Sequence, residues 1–226
     1  MATAFQDNLL QKQEPKSNIF WSIFWLVLIV MLLLKFFVYQ QVTVVGASME
    51  PNYFTGELLL VNQIDKNIER GQVVAVYEDK EVAKNADYWT RFQTRFFLKR
   101  VIGLPGEEVE MVGDTVIIYN SNFPSGKVLV EDYISQDVKN KEKVSNYYFP
   151  RTKITEKNYF VLGDNRINSK DSRMIGTFPD YSIFGQETLR FWPIEKLGIF
   201  SLHKYEYLDI SSDLQARIAD AKKRLN

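Results

Sequence analysis

Two residues set the chemistry open to this chain. Ser48 lies in Gly46-Ala47-Ser48-Met49-Glu50-Pro51, and Lys99 in Phe96-Phe97-Leu98-Lys99-Arg100-Val101-Ile102-Gly103-Leu104-Pro105-Gly106. A serine hydroxyl is a poor nucleophile until a base takes its proton, and a lysine serves as that base only where its surroundings keep it uncharged. The usual helpers are scarce, because the 226 residues include no cysteine and one histidine, His203. That excludes disulfides, thiolate nucleophiles and cysteine or multi-histidine metal sites, and leaves His203 as the only base for a Ser-His-Asp triad. No metal and no cofactor are expected. Hydrolytic chemistry near neutral pH must rest on lysine, carboxylates or tyrosine.

The run through Lys99 reads as a strand, so alternate residues share a face. Phe97, Lys99 and Val101 align, while Phe96, Leu98, Arg100 and Ile102 point the other way. An ordinary lysine, with a pKa of about 10.4, is neutral to only ~0.04% at pH 7. Burial that lowered its pKa to around 8 would raise this to ~10%, a preference of roughly 3 kcal/mol against the ammonium. The plainer alternative is a lysine snorkelling at a sheet edge. For Ser48, Gly46 and Ala47 permit close backbone approach and Pro51 marks a turn that can lift the hydroxyl. The plainer alternative there is a serine capping that turn.

A third cluster, Gly163-Asp164-Asn165-Arg166-Ile167-Asn168-Ser169-Lys170-Asp171-Ser172-Arg173, follows directly on a predicted strand. It is too polar for core, and its groups can brace a site through Asp–Arg pairs and a hydroxyl. Its spacing does not match a calcium loop.

These residues need a scaffold. Ile19 to Leu34 carries no charge, and with Lys35 snorkelling the apolar run to Tyr39 has the ~20 residues of a transmembrane helix. Lys12 and Lys16 precede it and no basic residue follows Lys35 until Lys66, which places 1–18 in the cytoplasm and the rest outside. A cleaved signal peptide ending at Val45-Gly46-Ala47 is the competing interpretation, but the run is long and ends well before that site. Lys plus Arg and Asp plus Glu number 28 each, so no global field favours nucleic acid.

Beyond residue 40 the pattern is mainly strand. Strands are expected at 41–45, 57–61, 72–77, 92–102, 109–112, 115–119, 159–162 and 187–192, with Gly113-Asp114 forming a two-residue hairpin. The polar, lysine-rich stretch 120–157 reads as a small inserted lobe. Ser211-Ser212-Asp213 caps an amphipathic helix over 211–226. The expected fold is mainly β, with an exported domain over 40–210 on a single transmembrane helix at 19–39.

Taken together, Gly46 to Pro51, Arg70-Gly71, Leu98 to Gly106, Gly163 to Arg173 with Gly176, and Phe191-Trp192-Pro193 with Gly198 resemble bacterial type I signal peptidases, membrane-anchored Ser/Lys proteases. Each motif alone is unremarkable; their order after an N-terminal apolar run is specific. The resemblance implies a catalytic domain of coiled β-sheet, Ser48 as nucleophile and Lys99 as general base. It also implies Ser169 as the hydroxyl holding the lysine amine, with Asp164 and Arg100, and Asp171 and Arg173, as bracing groups. Gly46, Ala47 and Met49 would line the oxyanion site and cleft. The implied partners are signal-peptide-bearing preproteins, cut after small residues at the −1 and −3 positions, and membrane lipid, with the protein a monomer in the plasma membrane.

The chain departs from that pattern in places. Gly46 stands where some relatives carry a hydroxyl that donates to the oxyanion, worth ~3 kcal/mol where present. Ile167 and Gln72 replace aspartates common in the family. Two alternatives stay open: a catalytically silent anchored β-domain acting as a chaperone, and a Ser-His-Asp hydrolase using His203, although Glu50 stands where a nucleophile elbow has its second glycine.

Overall fold

The computed structural model describes residues 17–85, 87, 90, 94–134 and 147–225, with backbone alone at 17, 18, 36 and 37. One compact unit ends at Val38 and a second begins at Tyr39. The first contains helix α1, Ser17–Phe37, whose large apolar side chains from Ile19 to Leu34 are exposed except for half-buried Leu28. Among the described residues no helix is long and apolar enough to cross a membrane. The helix ends earlier than the expected 39, because Tyr39 pairs with Asn62 in the first strand of the second unit.

The second unit is built from two antiparallel sheets. Its strands are β1 (Tyr39–Thr43), β2 (Leu58–Asn62), β3 (Val73–Tyr77), β4 (Phe96–Gly103), β5 (Glu108–Val112), β6 (Thr115–Tyr119) and β7 (Lys127–Leu129). They continue with β8 (Tyr148–Lys153), β9 (Asn158–Leu162), β10 (Phe178–Pro179), β11 (Ile183–Trp192), β12 (Gly198–Ile199) and β13 (Tyr207–Leu208). The first sheet runs β1-β2-β11-β3-β4-β9-β10, with β12 added on β11; the second runs β13-β7-β6-β5-β8. Its described residues also form the α-helices α2 (Lys80–Asn85), α3 (Ser172–Ile175) and α4 (Ser212–Leu225).

The predicted strands are present with their ends moved. Val44 and Val45 leave the β1 ladder because the Val44 N–H turns to the Glu57 carbonyl while its own carbonyl accepts from Gly56. The long strand begins at Phe96 rather than 92, and residues 92 and 93 lie outside the described residues. Gly113 takes φ 66° in the β5–β6 hairpin, where Val112 faces Thr115, as a two-residue turn with glycine first requires. α4 starts where the sequence indicates: the Ser211 hydroxyl accepts from the Leu214 N–H and caps it.

The stretch 120–157 is not a separate lobe in its described parts. β7 pairs with β6 and β8 pairs with β5, so both belong to the second sheet, which also takes in β13 near the C-terminus. Short strands separated by polar, proline-bearing links read as irregular until their partners are known. The lysine-rich centre of that stretch, 139–143, lies outside the described residues.

Both faces of β4 are buried, and this is what positions the site. Phe97 and Val101 pack with Val74, Val161, Phe178 and Ile183 on one face. From the other, Ile102 joins Phe160, Leu162 and the apolar residues of β5, β6 and β7, closing the first sheet on the second. Lys99 therefore sits in the middle of the core layer.

Candidate active site

Lys99 is 2% exposed, flanked along its face by Phe97 and Val101, with its amine 5.1 Å from the centre of the Phe97 ring. Its Nζ lies 2.8 Å from Ser48 Oγ and 2.8 Å from the Leu98 carbonyl oxygen. Burial lowers its pKa from 10.5 to about 8; Asp171 and Asp164 pull it upwards and Arg173 lowers it further. The amine is thus uncharged in about a tenth of molecules at pH 7, in hydrogen-bond contact with a hydroxyl 51 residues away.

Ser48 is held in a tight turn. The Glu50 N–H donates to the Ala47 carbonyl, and the Asn52 and Tyr53 N–H groups donate to Met49. From outside, Asn165 grips the turn twice, its backbone N–H donating to the Ser48 carbonyl at 3.0 Å and its Nδ2 to the Ala47 carbonyl at 3.1 Å. Gly46 adopts φ 88° and its N–H donates to Thr55 Oγ1. A Cβ there would meet nothing within 4 Å, so backbone conformation rather than crowding calls for glycine. The Ser48 N–H makes no hydrogen bond among the described residues.

The polar cluster after β9 braces this arrangement. Arg100 makes a two-pronged ion pair with Asp164, Nε to Oδ1 at 2.9 Å and Nη2 to Oδ2 at 2.7 Å, and donates from Nη1 to the Gly71 carbonyl. Burial opposes the guanidinium charge, but Asp164 outweighs it and raises the pKa. Arg173 holds Asp171 in the same two-pronged way at 2.8 and 2.7 Å. Asp171 also accepts from the Gly163 N–H and caps α3. Burial would raise the Asp171 pKa, yet the Arg173 contacts and the Gly163 N–H keep it low.

Two expectations need correcting. Among the described residues Ser169 Oγ is buried with no hydrogen-bond partner, and the Lys99 amine takes Leu98 as its second contact. Ser169 packs against Gly163. Met49 does not line a cleft either. It is 1% exposed and packs with Val44, Tyr53, Leu59, Val73 and Leu98, because its turn carries it inward while Ser48 points to Lys99. His203 stands apart from the pair. It stacks edge-on with Tyr133 and Tyr205 and faces Asp132 at 3.3 Å.

Sequence reasoning missed Asn165 and Asn52 as supports. Asn165 was visible only as a member of the polar cluster. Asn52 gave no signal, although its Nδ2 donates to Asp164 Oδ2 at 2.9 Å and to the Tyr133 carbonyl at 3.1 Å.

Gly163 is the tightest point. A Cβ on it would overlap both the Ser48 carbonyl oxygen and Ser169 Oγ. Gly163→Ala is therefore expected to push the serine turn off Lys99 and cut turnover by about 10²-fold, as misplacements near 1 Å do. Initial cleavage rates on the folded variant, with circular dichroism as the folding control, measure this.

The chain has relatives among known proteins. The model of the family described as signal peptidase, peptidase S26, matches residues 17–192. Signal peptidase I P of Bacillus subtilis subsp. natto is 31% identical over 83% of this chain and 96% of its own length. Signal peptidase IB of Staphylococcus aureus strain MRSA252 is 34% identical over 76% of this chain and 84% of its own. A solved signal peptidase I from Enterococcus faecalis V583 matches at 31% identity and a TM-score of 0.38, covering 53% of this chain and 96% of that one. On sequence, over most of its length, the chain belongs to the type I signal peptidase family, peptidase S26.

Proposed function

We propose that this chain is an endopeptidase that removes N-terminal signal peptides from exported preproteins, with Ser48 as nucleophile and Lys99 as general base. The observation that carries the proposal is the 2.8 Å contact between Ser48 Oγ and an amine buried in the core. Uncharged Lys99 takes the Ser48 proton as Oγ attacks the carbonyl of the scissile peptide. The unengaged Ser48 N–H points to one donor for the resulting oxyanion, beside Gly46, whose lack of a side chain leaves room. As the tetrahedral species collapses, the Lys99 ammonium gives its proton to the leaving amine. Water, deprotonated by the same lysine, then hydrolyses the ester to Ser48.

The substrate is read as an extended strand laid near 41–47, a region supported by the place of β1 at the edge of its sheet. The preference for small residues at −1 and −3 rests on the family resemblance. We place the chain in the plasma membrane as a monomer, anchored by the helix at its N-terminus, with residues 1–18 cytoplasmic and the catalytic domain outside. Retention of the anchor is supported by β1, which is part of the folded sheet ahead of Ala47. Contact with lipid is supported by exposed Trp192, Ile194, Leu197 and Ile199, together with Phe54. Tyr53, in contrast, is buried.

The test is direct. Incubation of the detergent-solubilised protein with a preprotein is expected to release the mature product when alanine stands at −1 and −3, and not when −1 is leucine. Ser48→Ala is expected to be silent on both. Normal cutting by the Ser48 variant would sink the assignment.

A further inference from the structure

The turn that carries Ser48 is tied at its far end to a strand that contributes nothing to the site itself. Glu187 lies on β11, and β3 separates that strand from β4. Its carboxyl is 3% exposed and accepts a short hydrogen bond from the Tyr53 hydroxyl. Three residues along the same strand, the Arg190 guanidinium stacks 4.2 Å from the centre of the Tyr53 ring and donates to the Asn52 carbonyl at 3.0 Å. Asn52 in turn reaches Asp164, the neighbour of the Asn165 that grips Ala47 and Ser48. The turn is thus clamped at both ends, by Asn165 at its start and by Glu187 and Arg190 at its finish. Asn52, Tyr53, Glu187 and Arg190 line a cavity of about 520 Å³ together with Arg100, Tyr133 and His203.

Resting on the proposed Ser/Lys function, we propose that Glu187 is a positioning residue for the nucleophile, acting through Tyr53 to fix the turn that presents Ser48 to Lys99. A buried carboxyl is an unusual choice for a purely apolar job, since an aliphatic side chain would fill the same space without desolvation cost. What the carboxyl adds is a directional acceptor at the one buried phenol of the turn. The Tyr53 N–H bonds the Met49 carbonyl, so a shift of Tyr53 passes straight to the residue beside Ser48. The groups facing Glu187 are Tyr53 from the turn, Arg190 from its own strand, Arg100 from β4 and Glu57 ahead of β2. Burial raises its pKa to about 7. A neutral carboxyl and an ionised one both keep an oxygen available to the Tyr53 hydroxyl.

The experiment compares Tyr53→Phe, Glu187→Ala, Glu187→Gln and the double variant Tyr53→Phe/Glu187→Ala as full-length protein, in preprotein cleavage well below each melting temperature. Tyr53→Phe and Glu187→Ala are each expected to lower kcat about tenfold while KM stays within twofold. The double variant should be no worse than either single one, because the two side chains act as one unit. Glu187→Gln, which retains an acceptor, should recover kcat to within about threefold of the parent. If Tyr53→Phe and Glu187→Ala lower only the melting temperature and leave kcat untouched, or if their effects on kcat multiply, the proposal is overturned. Should Glu187→Ala fail to fold, Tyr53→Phe decides alone. Ser48→Ala run alongside separates the two levels: if it still cuts, the Ser/Lys function itself has failed. If it is silent while Tyr53→Phe turns over normally, only the role of Glu187 falls.

Discussion

Lys99→Met is expected to give a folded protein whose preprotein cleavage falls by ~10⁴-fold, the top of the usual 10²–10⁴ for a general base, because among the described residues no other base contacts the Ser48 hydroxyl. Methionine matches the length of the lysine stem and suits the Phe97 and Val101 surroundings, so lost activity will not reflect a lost core. The same variant should be more stable than the parent near neutral pH. A pKa held at about 8 instead of 10.5 corresponds to roughly 3 kcal/mol of strain on the folded state whenever the amine is protonated. The sign follows from the proton count. Between pH 8 and 10.5 the unfolded chain binds the proton and the folded one has lost it, so parent stability rises through that window. The advantage of Lys99→Met is therefore full below pH 8 and fades towards 10.5. Parent activity should climb with pH along a limb centred near 8, for the same reason. Melting curves and initial rates across pH 6–10 check both statements; a flat rate profile would exclude Lys99 as the base.

The second large effect is on folding. Asp164 and Arg100 are each buried and joined by two short hydrogen bonds, with Asn52 donating to the same carboxylate. Asp164→Ala leaves the Arg100 guanidinium charged inside the core, with the Gly71 carbonyl and the Tyr133 ring as its remaining contacts. Breaking a buried pair in this way costs about 3–5 kcal/mol. In a domain of this size that lowers the melting temperature by about 10 °C. A drop of under ~2 °C would mean that water or a rearranged side chain takes over the role of the carboxylate. Asp164→Asn, which preserves shape but not charge, should fall between parent and alanine variant.

Much of this was legible in the sequence, for identifiable reasons. β4 announced itself because β-branched and aromatic residues occupy both ends of Phe96 to Ile102, and its period of two assigned Lys99 to one face and Arg100 to the other before any contact was known. Gly113-Asp114 fixed a hairpin locally. Ser48, Lys99, Asp164 and Asp171 stood out because polar groups in such settings need partners. The partners themselves were less visible. β7 and β8 are short and polar, and only pairing across the second sheet gives them their form. The inward course of Met49 depends on the whole turn, and the absence of a hydrogen bond from Ser169 to Lys99 depends on side-chain placement that no local pattern encodes. Glu187 carried no clear sign, since Gln186, Thr188 and Arg190 share its strand, and nothing in its neighbourhood pointed to Tyr53, 134 residues away.

Met49 links the interior to the rate of reaction. Its side chain is anchored among Val44, Leu59, Val73 and Leu98, and the next atoms along the backbone belong to the nucleophile. Heat tolerance and turnover in this protein are therefore not independent properties. Any attempt to harden it by enlarging residues around that sulfur will move the hydroxyl as well, and the fastest version of the enzyme need not be the one that melts last.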